Sequence, residues 1–267
     1  MLTIDGTRAH SLAGHPARQS GVTLTALMVG MTVGALVLAG TSAVYLLTAR
    51  GAAENIRLAR LNQELRAAME VMEQDLLRAG HWEFPDGADP ADNPFRLEIS
   101  GIQNDLSIGS AIGEASGSCV TYSYDLNANS LIGVCDGCTP IASPFDGDAY
   151  DRANVEMFGF RLRGGALQIR TRLASASDPA FDCDSGHWEA VTSNDVRVTR
   201  LRFDITAGET TNLNPAKTRT EPCTDDDLCQ QVRSVDIMLA GQLAGDPAVN
   251  QTFASRVAVR NDRYWRP

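Results

Sequence analysis

Residues 19–49 run for 31 positions without a charged side chain, behind a short polar leader that sets Arg8 and Arg18 against Asp5. A helix needs about 20 apolar residues to cross a bilayer, so this run is long enough to span one. A secretory signal peptide looks different: its apolar core is shorter and ends in a small-x-small cleavage site. Here Gly21 stands before the apolar run, and cleavage there would leave the hydrophobic helix on the mature chain. The positive leader favours a cytoplasmic amino end and an outer carboxyl domain. These features predict a polypeptide held in the inner membrane by a single pass, with an extracytoplasmic domain.

The helical signal continues beyond the membrane run. Leu58, Leu61, Leu65, Met69, Met72 and Leu76 recur at spacings of three and four, a stripe flanked by Arg57, Arg60, Glu64, Arg66, Glu70, Glu73 and Arg78. Gly80 is suited to end the helix in the left-handed conformation. Such a stripe needs a partner, and the rest of the chain reads as strands. Residues 160–169 hold a two-glycine turn, Gly164-Gly165, that sets Leu162 opposite Leu167 and Phe160 opposite Ile169. Val196, Val198, Leu201, Phe203 and Ile205 predict a strand with a slip in its alternation, and residues 232–239 and 253–259 supply further strands. Residues 81–117 read as loop with a short strand near 95–99, and residues 207–229 as a polar surface excursion. The expected fold class is α+β: a long N-terminal helix, half membrane-spanning and half amphipathic, packed on an antiparallel β-sheet. The segments are a leader at 1–21, a membrane helix at 22–49, its amphipathic continuation at 50–80 and a β-rich domain at 81–267. Gly30 and Gly34 form a small-xxx-small pair that permits close helix packing, although glycine is common in membrane helices.

The formal net charge is −10, and removing the leader's +1 leaves −11. A surface of that sign repels phosphate backbones, so no nucleic-acid partner is expected. The six cysteines, Cys119, Cys135, Cys138, Cys183, Cys223 and Cys229, all follow the membrane run, and an even count in an exported domain predicts three disulfides. Cys135-Asp136-Gly137-Cys138 has redox spacing but lacks the strand-then-helix setting of a thioredoxin-type site, which favours a structural bridge. If residues 119–124 and 131–135 pair as a hairpin around Asn127, Cys119 faces Cys135. A Cys223–Cys229 bridge then closes an acidic loop, leaving Cys138 with Cys183.

Asp125, Asn127, Asn129 and Asp136 have the oxygen spacing of a calcium loop at positions one, three, five and twelve. Ser130 replaces the glycine that such a loop needs, and Asp136 is shorter than the usual bidentate Glu. A plain polar hairpin turn accounts for the same residues. His81 and His187 have no zinc-type spacing, and no nucleophile elbow, phosphate loop or dinucleotide fingerprint occurs in strand–helix context. The chain is therefore not expected to be an enzyme.

Ser20 to Met28, a glycine followed by an apolar residue, then Thr-Leu, then a helix, resembles the type III signal of type IV pilins and type II secretion pseudopilins. Residues 66–80, the stretch Val120-Thr121-Tyr122-Ser123-Tyr124-Asp125-Leu126-Asn127-Ala128-Asn129, and Phe253-Ala254-Ser255-Arg256-Val257-Ala258-Val259-Arg260-Asn261 are similar to PilW-like minor pilins. The resemblance implies a pilin-like fold, cleavage after Gly21 by prepilin peptidase and methylation of the new amino terminus at Val22. It implies a filament-core surface formed by Val22, Leu24, Leu27, Met28 and Val29. Implied partners are other minor pilins, the major pilin, the inner membrane and the pilus assembly platform, with a role in initiation or at the tip. The chain departs from the pilin pattern at Ala26, where those families usually place a Glu that neutralises a neighbouring subunit's amine. A type II secretion minor pseudopilin, and a static membrane-anchored binding or adhesin domain, remain alternative expectations.

Overall fold

The computed structural model describes residues 21, 23–99, 102–133, 145–146, 156–172 and 181–267. Contacts divide the chain into two compact units, Met1–Ala53 and Glu54–Pro267. One helix, α1, Leu24–Leu76, begins in the first and ends in the second. Thr23 caps its start: the Thr23 hydroxyl oxygen accepts from the Ala26 N–H at 3.3 Å.

The second unit holds two main antiparallel sheets. One contains β3 (Ser107–Gly109), β4 (Cys119–Ser123), β7 (Met157–Arg163), β8 (Ala166–Arg172) and β9 (His187–Ala190), in that spatial order. The other is a meander of three long strands, β10 (Val196–Asn212), β11 (Cys229–Leu243) and β12 (Asp246–Trp265). Two small pairs complete the set: β1 (Glu98–Ile99) with β2 (Ile102–Gln103), antiparallel, and β5 (Ile132–Gly133) with β6 (Phe145–Asp146), parallel. The fold is α+β, a long N-terminal helix packed through its outer half on antiparallel sheets.

A single core joins these layers. Leu61, Leu65, Ala68, Met69, Met72 and Leu76 of α1 are buried against Val120, Tyr122, Phe160 and Leu167 of one sheet and Phe203, Val235, Ile237 and Val257 of the other. Spacings of three and four put the helical residues on one face, while alternation puts the strand residues on the inner faces. Burying each large side chain contributes about 1.5–3 kcal/mol, which makes this stripe the main attachment of the helix. The approach is close at Gly241 of β11: a Cβ there would meet Leu65 Cδ2 at 2.9 Å.

Local signals decide several details. The Gly164-Gly165 turn gives the register Phe160↔Ile169 and Leu162↔Leu167. The slip in β10 is a register shift between Val198 and Arg200, after which Leu201, Phe203 and Ile205 resume alternation. α1 unwinds into a turn over residues 77–80, and Gly80 adopts φ +71. Its conformation is fixed by Arg96, whose Nε donates to the Gly80 carbonyl at 3.1 Å and would lie 2.5 Å from a Cβ.

Three expectations are corrected. Residues 207–212 belong to β10 rather than to the polar loop, because Thr210, Thr211 and Asn212 pair with Gln231, Gln230 and Cys229. Residues 81–117 keep the expected short strand, β1 at 98–99, but add two 3-10 turns, Pro90–Asp92 and Pro94–Arg96, and the strands β2 and β3. The hairpin around Asn127 does not form: β4 pairs with β3 and β7, while β5 pairs with β6. The cysteine pairing built on that hairpin fails with it. Cys119 is bonded to Cys183, in place of Cys119–Cys135 and Cys138–Cys183. The cause is register: Cys119 lies opposite Gly109 and Arg161, and the missing Gly109 side chain leaves room for the Cys183 sulfur, 2.8 Å from where a Cβ would stand. This bridge closes a loop of 64 residues, worth about 4 kcal/mol in the chain-entropy account. Cys223 is bonded to Cys229. Cys135 and Cys138 lie outside the described residues.

Candidate functional site

The first unit is notable for what it leaves uncovered. Every described residue from Leu24 to Arg50 is exposed, and Leu24 is 76% accessible. Thirteen large apolar side chains between Leu24 and Leu47 are at least half exposed, Leu27, Met28 and Val29 among them. At about 1.5–3 kcal/mol each, leaving them in water would cost on the order of 20–40 kcal/mol, more than a whole domain's stability. This surface must be covered by lipid or by protein. The helix is long and apolar enough to cross a membrane, and is compatible with a single-pass anchor.

Gly21 is exposed, just before the Thr23 cap; Val22 lies outside the described residues. The first turn of α1 contains no acidic residue. Ala26, the third residue of α1, donates its N–H to the cap and carries no carboxylate. Leu24, Ala26, Leu27, Met28 and Val29 thus form an uncharged surface with no catalytic group.

The oxygen-rich turn is drawn together differently from a calcium loop. Asp125 Oδ2 accepts from the N–H groups of Glu83 and Ser130 at 3.1 and 3.0 Å. Asn127 Oδ1 accepts from Asn129 N–H, and Asn129 Oδ1 from Leu131 N–H. Ala128 and Ser130 take φ +61 and +64. These side chains bond the turn's own backbone, as in a polar Asx turn. Asp136 lies outside the described residues, and no group of three or more His, Cys, Asp or Glu suited to a metal occurs among the described residues.

A residue that sequence reading missed, Glu156, organises this turn from below. It is fully buried, and accepts from Leu126 and Asn127 at Oε1 and from Gly133 at Oε2, 2.9 Å. Burial pushes its carboxyl up to about 7, against the opposing pull of those three amides. A carboxyl raised in the folded state favours folding most when protonated, so its contribution is full below the ordinary value of 4.5 and is lost as pH rises towards about 7. Carbon-13 NMR titration of the Glu156 carboxyl is expected to give a midpoint near pH 7. A midpoint in the ordinary glutamate range would refute it.

Asp75 was missed too, being one carboxylate among several on the helix. It is buried in the last turn of α1, where Tyr122 and Tyr124 donate their hydroxyls to it at 2.6 and 2.8 Å and Arg78 pairs with it. Burial, then the Asp75 charge, pushes both phenols up.

One helix long and apolar enough to span a membrane, continued by an α+β domain, is compatible with a single-pass anchored protein. The chain belongs to the PpdB family, prepilin peptidase-dependent protein B, whose model matches residues 54–259, and is a type IV pilin-related protein. No curated protein and no solved structure matches it.

Proposed function

We propose that the chain is a non-enzymatic minor pilin of the PilW type, processed after Gly21 and methylated at Val22, which takes part in initiating type IV pilus assembly or in the tip complex. The uncovered apolar helix carries the reading. Stored in the inner membrane as a single-pass anchor with its domain outside, it would later exchange lipid contacts for the helices of neighbouring pilins. The match of residues 54–259 to a prepilin peptidase-dependent family supports the link to that peptidase and to the assembly machinery. A tip or near-tip position is favoured by the first turn without a carboxylate, since a subunit with none ahead of it has no amine to neutralise.

Mass spectrometry of the amino terminus, in cells with and without prepilin peptidase, tests the proposal. The expected mature chain begins at methylated Val22 only when the peptidase is present. A chain that keeps Met1 in cells with active peptidase would overturn the proposal and favour a static anchored domain. In the same cells an Ala26→Glu variant is expected to gain nothing in assembly; markedly better incorporation along the shaft would remove the tip assignment.

A further inference from the structure

Where α1 ends, a cleft of about 210 Å³ opens within the second unit. Trp82, Phe84 and Tyr264 give it aromatic walls. The Phe84 ring stands 4.8 Å from that of Trp82, takes no part in the core and remains 49% exposed. A ring held in place by a second ring, with its own surface open, is ready to stack on a ligand. The polar side of the cleft comes from an irregularity in β12. Val259 pairs with Arg233 and Arg263 with Gln231, so four steps along β12 match two along β11, and the extra residues bulge out of the ladder. That bulge brings Arg260, Asn261 and Asp262 into the lining. Asn261 is spent on the carbonyls of Arg78 and Ala79 at the end of the helix. Arg260 is exposed and its guanidinium has no hydrogen bond or ion pair among the described residues. The half-buried Tyr264 has no partner for its hydroxyl among them either, and the half-buried Asp262 uses only Oδ2, on Gln230.

Charge singles out no ion as the ligand. The segments that form the cleft set Glu83, Asp86, Asp92 and Asp262 against Arg96 and Arg260, while Arg266 is spent on Asp89, and Arg233 and Arg263 on Asp105. In the lining itself Arg260 repels a cation and Asp262 repels an anion. Size narrows the choice further. Clefts that take drug-sized ligands run to about 300–1,000 Å³, so this smaller one suits a single ring and not an extended chain. An uncommitted donor, an uncommitted acceptor and a phenol that can act as either match a neutral ligand whose neighbouring groups each donate and accept. Vicinal hydroxyls do so, and a pyranose carries them beside a face of C–H bonds that can lie on an aromatic ring.

We propose that this cleft is a sugar-binding site, in which a neutral pyranose stacks on Phe84 and shares its hydroxyls among Arg260, Tyr264 and Asp262. A free monosaccharide and the terminal residue of a glycan offer the same chemistry.

Saturation-transfer NMR of the full-length protein, in a detergent without a sugar headgroup, tests the site. The probes are the methyl pyranosides of glucose, galactose, mannose and N-acetylglucosamine, each beside its reducing sugar, with tetramethylammonium chloride, sodium acetate and acetyl-triproline amide as the ionic and peptide alternatives. At least one sugar should bind with a millimolar Kd and receive saturation mainly on the C–H protons of one ring face. A methyl glycoside that binds as well as its reducing sugar points to the end of a glycan, and binding of the reducing sugar alone to a free monosaccharide; either supports the site. Phe84→Ala, which removes a ring outside the core, should keep the wild-type melting temperature and weaken binding about ten-fold. Asp262→Asn, which keeps the shape and weakens the acceptor, should cost several-fold. No saturation of any of these sugars, tighter binding of either ion or of the peptide, or an affinity unchanged in either variant would overturn the proposal.

Discussion

Replacing Asp75 with alanine is expected to destabilise the protein by about 3 kcal/mol, read as a lower denaturation midpoint of the full-length chain in detergent. Two buried tyrosine hydroxyls, on Tyr122 and Tyr124, would lose an ionised acceptor held at 2.6 and 2.8 Å. Hydrogen bonds to charged groups contribute about 1.5–3 kcal/mol each, and the gain from no longer burying a carboxylate offsets part of that loss. The Arg78 ion pair adds little, because the arginine is half exposed. Asp75→Asn keeps an acceptor and should cost only about 1 kcal/mol. The same contact sets an alkaline limit. The fold raises both phenols above their ordinary value of 10.0, so the stability they contribute is complete below that value and is lost as pH climbs past it. If Asp75→Ala and Asp75→Asn were equally stable, the carboxylate would not be what fastens the end of the helix to β4.

The features legible in the sequence are those encoded locally. The uncharged run, the stripe from Leu58 to Leu76 and the two-glycine turn each signal through residues a few positions apart, and α1 and the β7–β8 hairpin follow them closely. Even the irregularity of β10 shows as a slip between Val198 and Leu201. The parts that escaped depend on partners far along the chain. Cys119 meets Cys183 across 64 residues because two strand pairings and the small Gly109 place them together. Arg96 falls in a stretch rich in Pro, Asp and Asn that reads as loop with a short strand near 95–99. The Asn93-Pro94 start of its 3-10 turn, where the Asn93 side chain accepts from Phe95 N–H at 2.9 Å, was the available local signal. Nothing near Arg96 in sequence announces that its neighbours in space are Arg233, Asp262 and Tyr264. At the amino end the situation is reversed: Ala26 is informative because the whole context is local, one residue type at one distance from Gly21.

The other large loss is expected from Asp105→Ala. Arg233 and Asp105 are each about 5% exposed at their side chains, and Arg233 rests its Nη1 on both carboxylate oxygens while Nε and Nη2 have no partner among the described residues. Removing the carboxylate strands a buried guanidinium, a change that costs about 3–5 kcal/mol. It also leaves Arg96 and Arg263 facing Arg233 without the charge between them. The pair itself need not be strongly stabilising, since taking two ions out of water offsets most of their attraction. A double variant, Asp105→Leu with Arg233→Met, should therefore recover most of the single variant's loss. Denaturant midpoints of the wild type, both single variants and the double variant decide the matter. Losses that simply add would mean that the two side chains act independently, whereas a coupling of about 2 kcal/mol or more is the expected signature of a buried pair whose members tolerate joint removal far better than separation.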